Sequence, residues 1–147
     1  MAKKIGEIKA FCILGHNLFK KSENTLKKVF GKQKVEMITQ DLLSCQQEID
    51  IMLQNTDLYE VMNKKAVKTE AKVSKMADNY IGDKWDDPTE LCEWLGFFEG
   101  AAIVHFSLVF GKAKKAKLRD LEDLTRRGIR LHKTLLDDVT KAIQNLS

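Results

Sequence analysis

Apolar residues return at alternating three- and four-residue steps along almost the whole chain, and a single proline interrupts them. That step places side chains on one face of a helix, whereas a strand would alternate residue by residue. A first helix is expected over about 4–30, with Ile5, Ile8, Cys12, Gly15, Phe19, Ser22, Leu26 and Val29 in rhythm and Gly31 suited to the position past its end. A second, about 33–54, carries Val35, Ile38, Leu42, Cys45, Ile49 and Met52. Asn55-Thr56-Asp57 offers a restart by side-chain capping. The stripe over 57–81 is weaker, which predicts one helix or two short ones connecting the longer elements. Asp87-Pro88-Thr89-Glu90 reads as a helix start, with an aspartate cap, a proline in the first position and a glutamate three residues after the cap. That helix should reach about 115, and a last one should occupy about 117–145. No strand pattern, internal repeat or low-complexity linker interrupts the series. The expectation is one all-α domain over 1–147, an antiparallel four-helix bundle with a helical connection between its second and third long helices.

Composition agrees with that reading. The 147 residues are 44% apolar and 31% charged, with only eight glycines, a balance that excludes disorder and a turn-rich β fold. The basic start Met1-Ala2-Lys3-Lys4 leads into no uninterrupted apolar core, so no signal peptide is expected. Cys12, Cys45 and Cys92 are an odd number and form no C-x-x-C pair, which suits reduced thiols in the cytoplasm.

The stretch from Gly96 to Gly111 is the most apolar. It falls short of the about 20 predominantly apolar residues of a membrane span and holds Glu99 and His105, so a buried helix of a soluble protein is expected. At about 100° per residue, Leu91, Trp94, Leu95, Phe98, Ala102, His105, Phe106 and Val109 share its wide apolar face, with Glu99 on the flank. Glu99 and His105 point too far apart to be a local acid/base pair. Cys92, Gly96, Gly100, Ser107 and Gly111 line its back, broken by Ile103 and Phe110. Glycine inside a helix costs about 1 kcal/mol relative to alanine, so a close backbone approach is expected at Gly96, Gly100 and Ser107. Another helix of the chain or a second subunit would supply it, and self-association is the sharper reading.

The same face analysis turns His16, His105 and His132 toward the core, each near its helix midpoint. Cys12 lies one turn before His16, and Cys45 is central in the second helix. Imidazoles and thiolates are ligands for zinc and related metals, so these five residues could meet at mid-height. Against this, no recognised metal spacing occurs, and buried histidines and cysteines commonly serve the core alone. No metal is favoured, and the cofactor is left unassigned. Glu23 sits at the edge of the first helix, within reach of Lys20 or Lys27.

Charge is unevenly placed. Lys20, Lys21, Lys27, Lys28 and Lys32 surround the first turn, and Lys112, Lys114, Lys115, Lys117 and Arg119 the last. Were the two to meet, one end of the bundle would present a phosphate, nucleic-acid or acidic-protein surface. Few aromatics accompany them, which speaks against base stacking. Phosphate-binding glycine loops, nucleophile elbows and metalloprotease helices are missing. The chain therefore reads as a non-enzymatic binding or assembly protein, with a mid-core histidine site for a metal or small ligand, or a basic-ended nucleic-acid subunit, as alternatives. No membrane partner is expected.

Four long helices and a helical insertion, without catalytic motifs, resemble a small archaeal family of ferritin-like four-helix bundles near the cobalamin adenosyltransferases. The resemblance is one of architecture. The adenosyltransferases' N-terminal nucleotide loop has no counterpart in Met1–Ala10, and their arginine-rich helix matches Thr125–Arg130 poorly. It therefore implies a fold but no activity and no site residue.

Overall fold

The computed structural model describes residues 1–146, and among them six α-helices and no strand are found. They are α1 (Ala2–Lys21), α2 (Glu23–Phe30), α3 (Lys32–Leu53), α4 (Tyr59–Ile81), α5 (Pro88–Ala116) and α6 (Arg119–Leu146). The protein is all-α, as the periodicity predicts.

Three boundaries differ from the sequence reading. The continuous first helix is broken at Ser22, whose backbone leaves helical geometry at φ −109° and ψ 28°. At that point the buried Ser22 hydroxyl donates to the Trp85 carbonyl, 3.1 Å away, and the Lys21 ammonium lies 3.6 Å from the Trp85 ring centroid. The loop before α5 is thus docked on the break. Thr56 does not cap α4; its hydroxyl donates back to the Leu53 carbonyl at 2.6 Å and closes α3. Lys117 belongs to the end of α5, where it adopts left-handed geometry (φ 58°), and α6 starts two residues later than expected. The start of α5 agrees with its prediction. The Asp87 carboxylate accepts from the Thr89 and Glu90 amides at 2.9 and 3.2 Å, with Pro88 in the first turn.

The segment expected as a connection is a single 23-residue helix, one residue longer than α3 before it. It lies against α1 so closely that a Cβ on Gly6 would overlap the Met62 carbonyl oxygen. Lacking a Cβ there lets two helix backbones touch. On its other sides α1 meets α3 and α5, while α6 lies chiefly on α5.

The α5–α6 contact is the most extensive, and its residues explain why. Cys92, Leu95, Glu99, Ala102, Phe106, Val109 and Ala113 are all buried, at strict three- and four-residue steps along α5. Leu121, Thr125, Gly128, His132, Leu135 and Val139 are buried at the same steps along α6. Two such seams zip together in the manner of a coiled coil. Gly128 makes room for the Phe106 ring, which a Cβ at that position would overlap.

Candidate functional site

The centre of the α5–α6 seam holds two ionisable groups. The Glu99 carboxylate bonds to Nδ1 of His132, with both side chains only 1% exposed. The Phe106 ring lies over the imidazole with centroids 5.2 Å apart, and His132 Nε2 is buried without a hydrogen-bond partner among the described residues. Inside a helix seam the aliphatic neighbours cannot compensate a lone carboxylate, so each group is held there by the other.

Glu99 reaches a second group. It lies within Coulombic range of the Cys12 thiol of α1, whose neighbour is the Cys45 thiol of α3. The hydrogen-bonding contact with Cys45 is the largest cause that holds the Cys12 thiol well above the ordinary range, followed by complete burial. Cys45 is partly exposed and lines a cavity of about 380 Å³ between α3 and α6, together with Glu48 and Arg127. The Arg127 guanidinium grips Glu48 through two bonds of 2.9 and 3.2 Å, which raises its pKa further, and Cys45 is near enough to contribute.

The three histidines part company. Only His132 is fully buried; His16 and His105 are half-buried, because α5 turns its seam to α6 and leaves His105 at the edge facing α1. His105 Nε2 stands 3.1 Å from the Glu7 carboxylate, and Nδ1 donates to the Ala101 carbonyl at 2.8 Å. Lys4 also pairs with Glu7, at 3.1 Å. Of the five candidate ligands, the structure brings together Cys12 and Cys45 and sends His105 and His132 to separate carboxylates. Among the described residues no three His, Cys, Asp or Glu side chains gather as a metal site requires. Glu99 is the functional-site candidate that the face analysis misplaced on the flank. Its position in the unbroken series from Cys92 to Ala113 is the signal that marks it as a seam residue.

The back of α5 is open. Among the described residues, no atom beyond the helix's own neighbouring backbone lies within 4 Å of where a Cβ on Gly96, Gly100 or Gly111 would stand. No helix of this chain therefore approaches these glycines, which removes the intramolecular explanation for them. Beside them Phe97, Val104 and Leu108 are 63%, 67% and 44% exposed, and Ser107 is exposed as well. The surface continues onto α4, where Tyr80 meets Phe97 edge to face at 5.4 Å, above a cavity of about 520 Å³ that Met76 also lines. By length and composition alone α5 is long and apolar enough to cross a membrane, a criterion that the core helix of a soluble protein also meets. Its most apolar window has a mean hydropathy of 1.4 and is 39% buried in the fold.

The basic groups do not form one end. Lys20 and Lys21 border Asp86 beside the Ser22 break. Lys27 pairs with Glu23 at 2.8 Å, which lowers the Glu23 pKa, and the neighbouring Lys34 pairs with Asp138 at 3.0 Å. Arg119, in the other group, shares a cavity with Met1, Leu53 and Leu58. Those residues begin α1, end α3 and precede α4, so Lys112, Lys114, Lys115, Lys117 and Arg119 gather at the opposite end from Lys20, Lys21, Lys27, Lys28 and Lys32. The up-and-down course of α3, α4 and α5 separates the two turns. No family model matches this chain, and searches of curated proteins and of solved structures found no match.

Proposed function

We propose that this chain is a non-enzymatic assembly protein that pairs with a second copy of itself through the outward face of α5. The observation that carries this is the open row of Gly96 and Gly100 beside the exposed side chains of Phe97, Val104 and Leu108. Its chemistry favours a like partner. From Gly96 to Gly111 the only ionisable side chains are Glu99 and His105, and both are engaged within the fold. Two such faces meet without like-charge repulsion, and a two-fold arrangement seats each subunit's large side chains over the other's glycines. The stretch is about 24 Å long at 1.5 Å per residue, and the adjoining Tyr80 and Met76 widen it toward the about 800 Å² per partner of a stable interface.

Underneath, we read an antiparallel, ferritin-like four-helix bundle of α1–α2, α3, α5 and α6, with α4 laid on α1. The free thiols support a reducing compartment such as the cytoplasm. The nucleic-acid reading is weaker, since its lysines divide between two ends. Sedimentation equilibrium tests assembly: wild type should sediment as a dimer, and Val104→Asp and Gly100→Leu as monomers of unchanged helicity. A wild-type monomer at every concentration overturns the reading. If the chain instead floats with lipid vesicles, and Val104→Asp abolishes that, the face serves a bilayer and the self-pairing is wrong.

A further inference from the structure

The α1–α3 contact carries chemistry that assembly does not use. Its register is antiparallel and can be followed from end to end. The Lys9 ammonium bonds to Asp50, and a Cβ on Gly15 would lie 3.1 Å from Leu42 Cδ1. Between these two rungs, one turn from the Gly15–Leu42 approach, the antiparallel register brings Cys12 and Cys45 to one level of the facing helices.

The two sulfurs differ in access. Cys12 is completely buried, whereas Cys45 opens into the cavity between α3 and α6. Arg127 lines the same cavity, its guanidinium held in place by two bonds of 2.9 and 3.2 Å to Glu48, and so sets N–H donors beside the entry to Cys45. An accessible sulfur beside a cation, backed by a hidden one, is the division of labour of a dithiol that reacts first at one atom and closes at the other.

We propose that Cys45 and Cys12 are a redox-active dithiol, oxidised by a small hydroperoxide that enters the cavity between α3 and α6. Cys45 loses its proton to solvent through the cavity, and its sulfur attacks the terminal peroxide oxygen. The O–O bond breaks, a sulfenic acid forms on Cys45, and the departing oxygen takes up a proton and leaves as water or alcohol. The Cys12 sulfur then attacks the Cys45 sulfur. An S–S bond forms as the S–O bond breaks, and the Cys12 proton leaves with the hydroxide as water. Two thiols and one hydroperoxide thus give one disulfide, one alcohol or water and one further water. The sulfur pair is oxidised by two electrons and the peroxide reduced by two. An external dithiol reverses the change by exchange.

Cys92 provides the comparison within the same chain, since it is buried on α5 and its thiol is raised by burial alone. The test treats the folded, fully reduced chain with hydrogen peroxide and follows each thiol by alkylation and peptide mass mapping. Cys12 and Cys45 should disappear together as one intramolecular cross-linked peptide, with Cys92 retained. Cys12→Ala should stop at a Cys45 sulfenic acid that dimedone captures, and Cys45→Ala should leave Cys12 reduced. The wild-type map stands without either variant if one fails to fold. The proposal is overturned if Cys92 oxidises before Cys45, if Cys45 oxidises without consuming Cys12, or if all three thiols survive excess peroxide.

Discussion

Glu99 and His132 sit 33 residues apart in sequence and form one hydrogen-bonded pair at the centre of the α5–α6 seam, each side chain 1% exposed. Both occupy positions where the surrounding rhythm places leucine, alanine, valine and phenylalanine. The pair therefore fixes which turn of α5 meets which turn of α6. Slipping the seam by one turn would bury both groups against hydrocarbon, a register constraint of the kind that buried polar pairs impose on coiled coils.

Breaking this pair on one side should be costly, and replacing it entirely should not. Glu99→Leu strands the imbalance on His132, and His132→Leu strands it on Glu99. Either variant should lose about 3–5 kcal/mol in urea unfolding, the usual cost of leaving a buried partner alone. The double variant should recover most of that loss. If the two single losses simply add in the double variant, the pair carries no coupling and the register argument fails.

Glycine positions separate close approach from open surface. A Cβ on Gly128 overlaps the Phe106 ring, so Gly128→Ala should destabilise by about 1–3 kcal/mol and be relieved by Phe106→Leu. A Cβ on Gly6 overlaps the Met62 carbonyl oxygen, which is backbone and cannot give way, so Gly6→Ala should cost at least as much and find no side-chain rescue. Among the described residues, nothing from another helix lies within 4 Å of a Cβ on Gly100. In protein diluted to monomer, Gly100→Ala should raise stability by about 1 kcal/mol through helix propensity. Thermal unfolding of the three variants checks the order, and a destabilised Gly100→Ala monomer would contradict the open face.

The helices were legible because their signals are local. The Asp87-Pro88 start, the Gly31 end and the three-four rhythm each depend on residues a turn apart. What escaped were relations between helices. The Ser22 hydroxyl at the break donates to the Trp85 carbonyl, and the burial of Glu99 needs His132, so neither is visible within one helix. The bulkiest side chains of α5 weight its apolar face toward His105, whereas the seam runs through Glu99 and the smaller Cys92, Ala102 and Ala113. The small residues misled for the same reason. Gly6, Gly15 and Gly128 are approached by other helices of this chain, while Gly96 and Gly100 face outward. Counting glycines along one helix cannot say which of them has a neighbour.

The Cys12 thiol makes a prediction at alkaline pH whose sign is fixed. In the folded chain Cys45 and burial hold its pKa well above the ordinary value of 9.0. The unfolded chain releases that proton near the ordinary value, while the folded chain keeps it. The folded state then binds more protons, so stability is complete below the unfolded pKa and falls as pH rises until the folded pKa is passed. One retained proton is worth about 1.4 kcal/mol per pH unit. Cys92, also raised, adds a loss of the same sign. Urea unfolding above pH 9, under a reductant that keeps the disulfide from forming, should therefore show a steep alkaline decline. Cys12→Ala should flatten it by up to one proton's share, even though the variant starts from a lower stability. If the slope in Cys12→Ala matches wild type, the folded thiol ionises like an exposed one, and the contact with Cys45 does not suppress it.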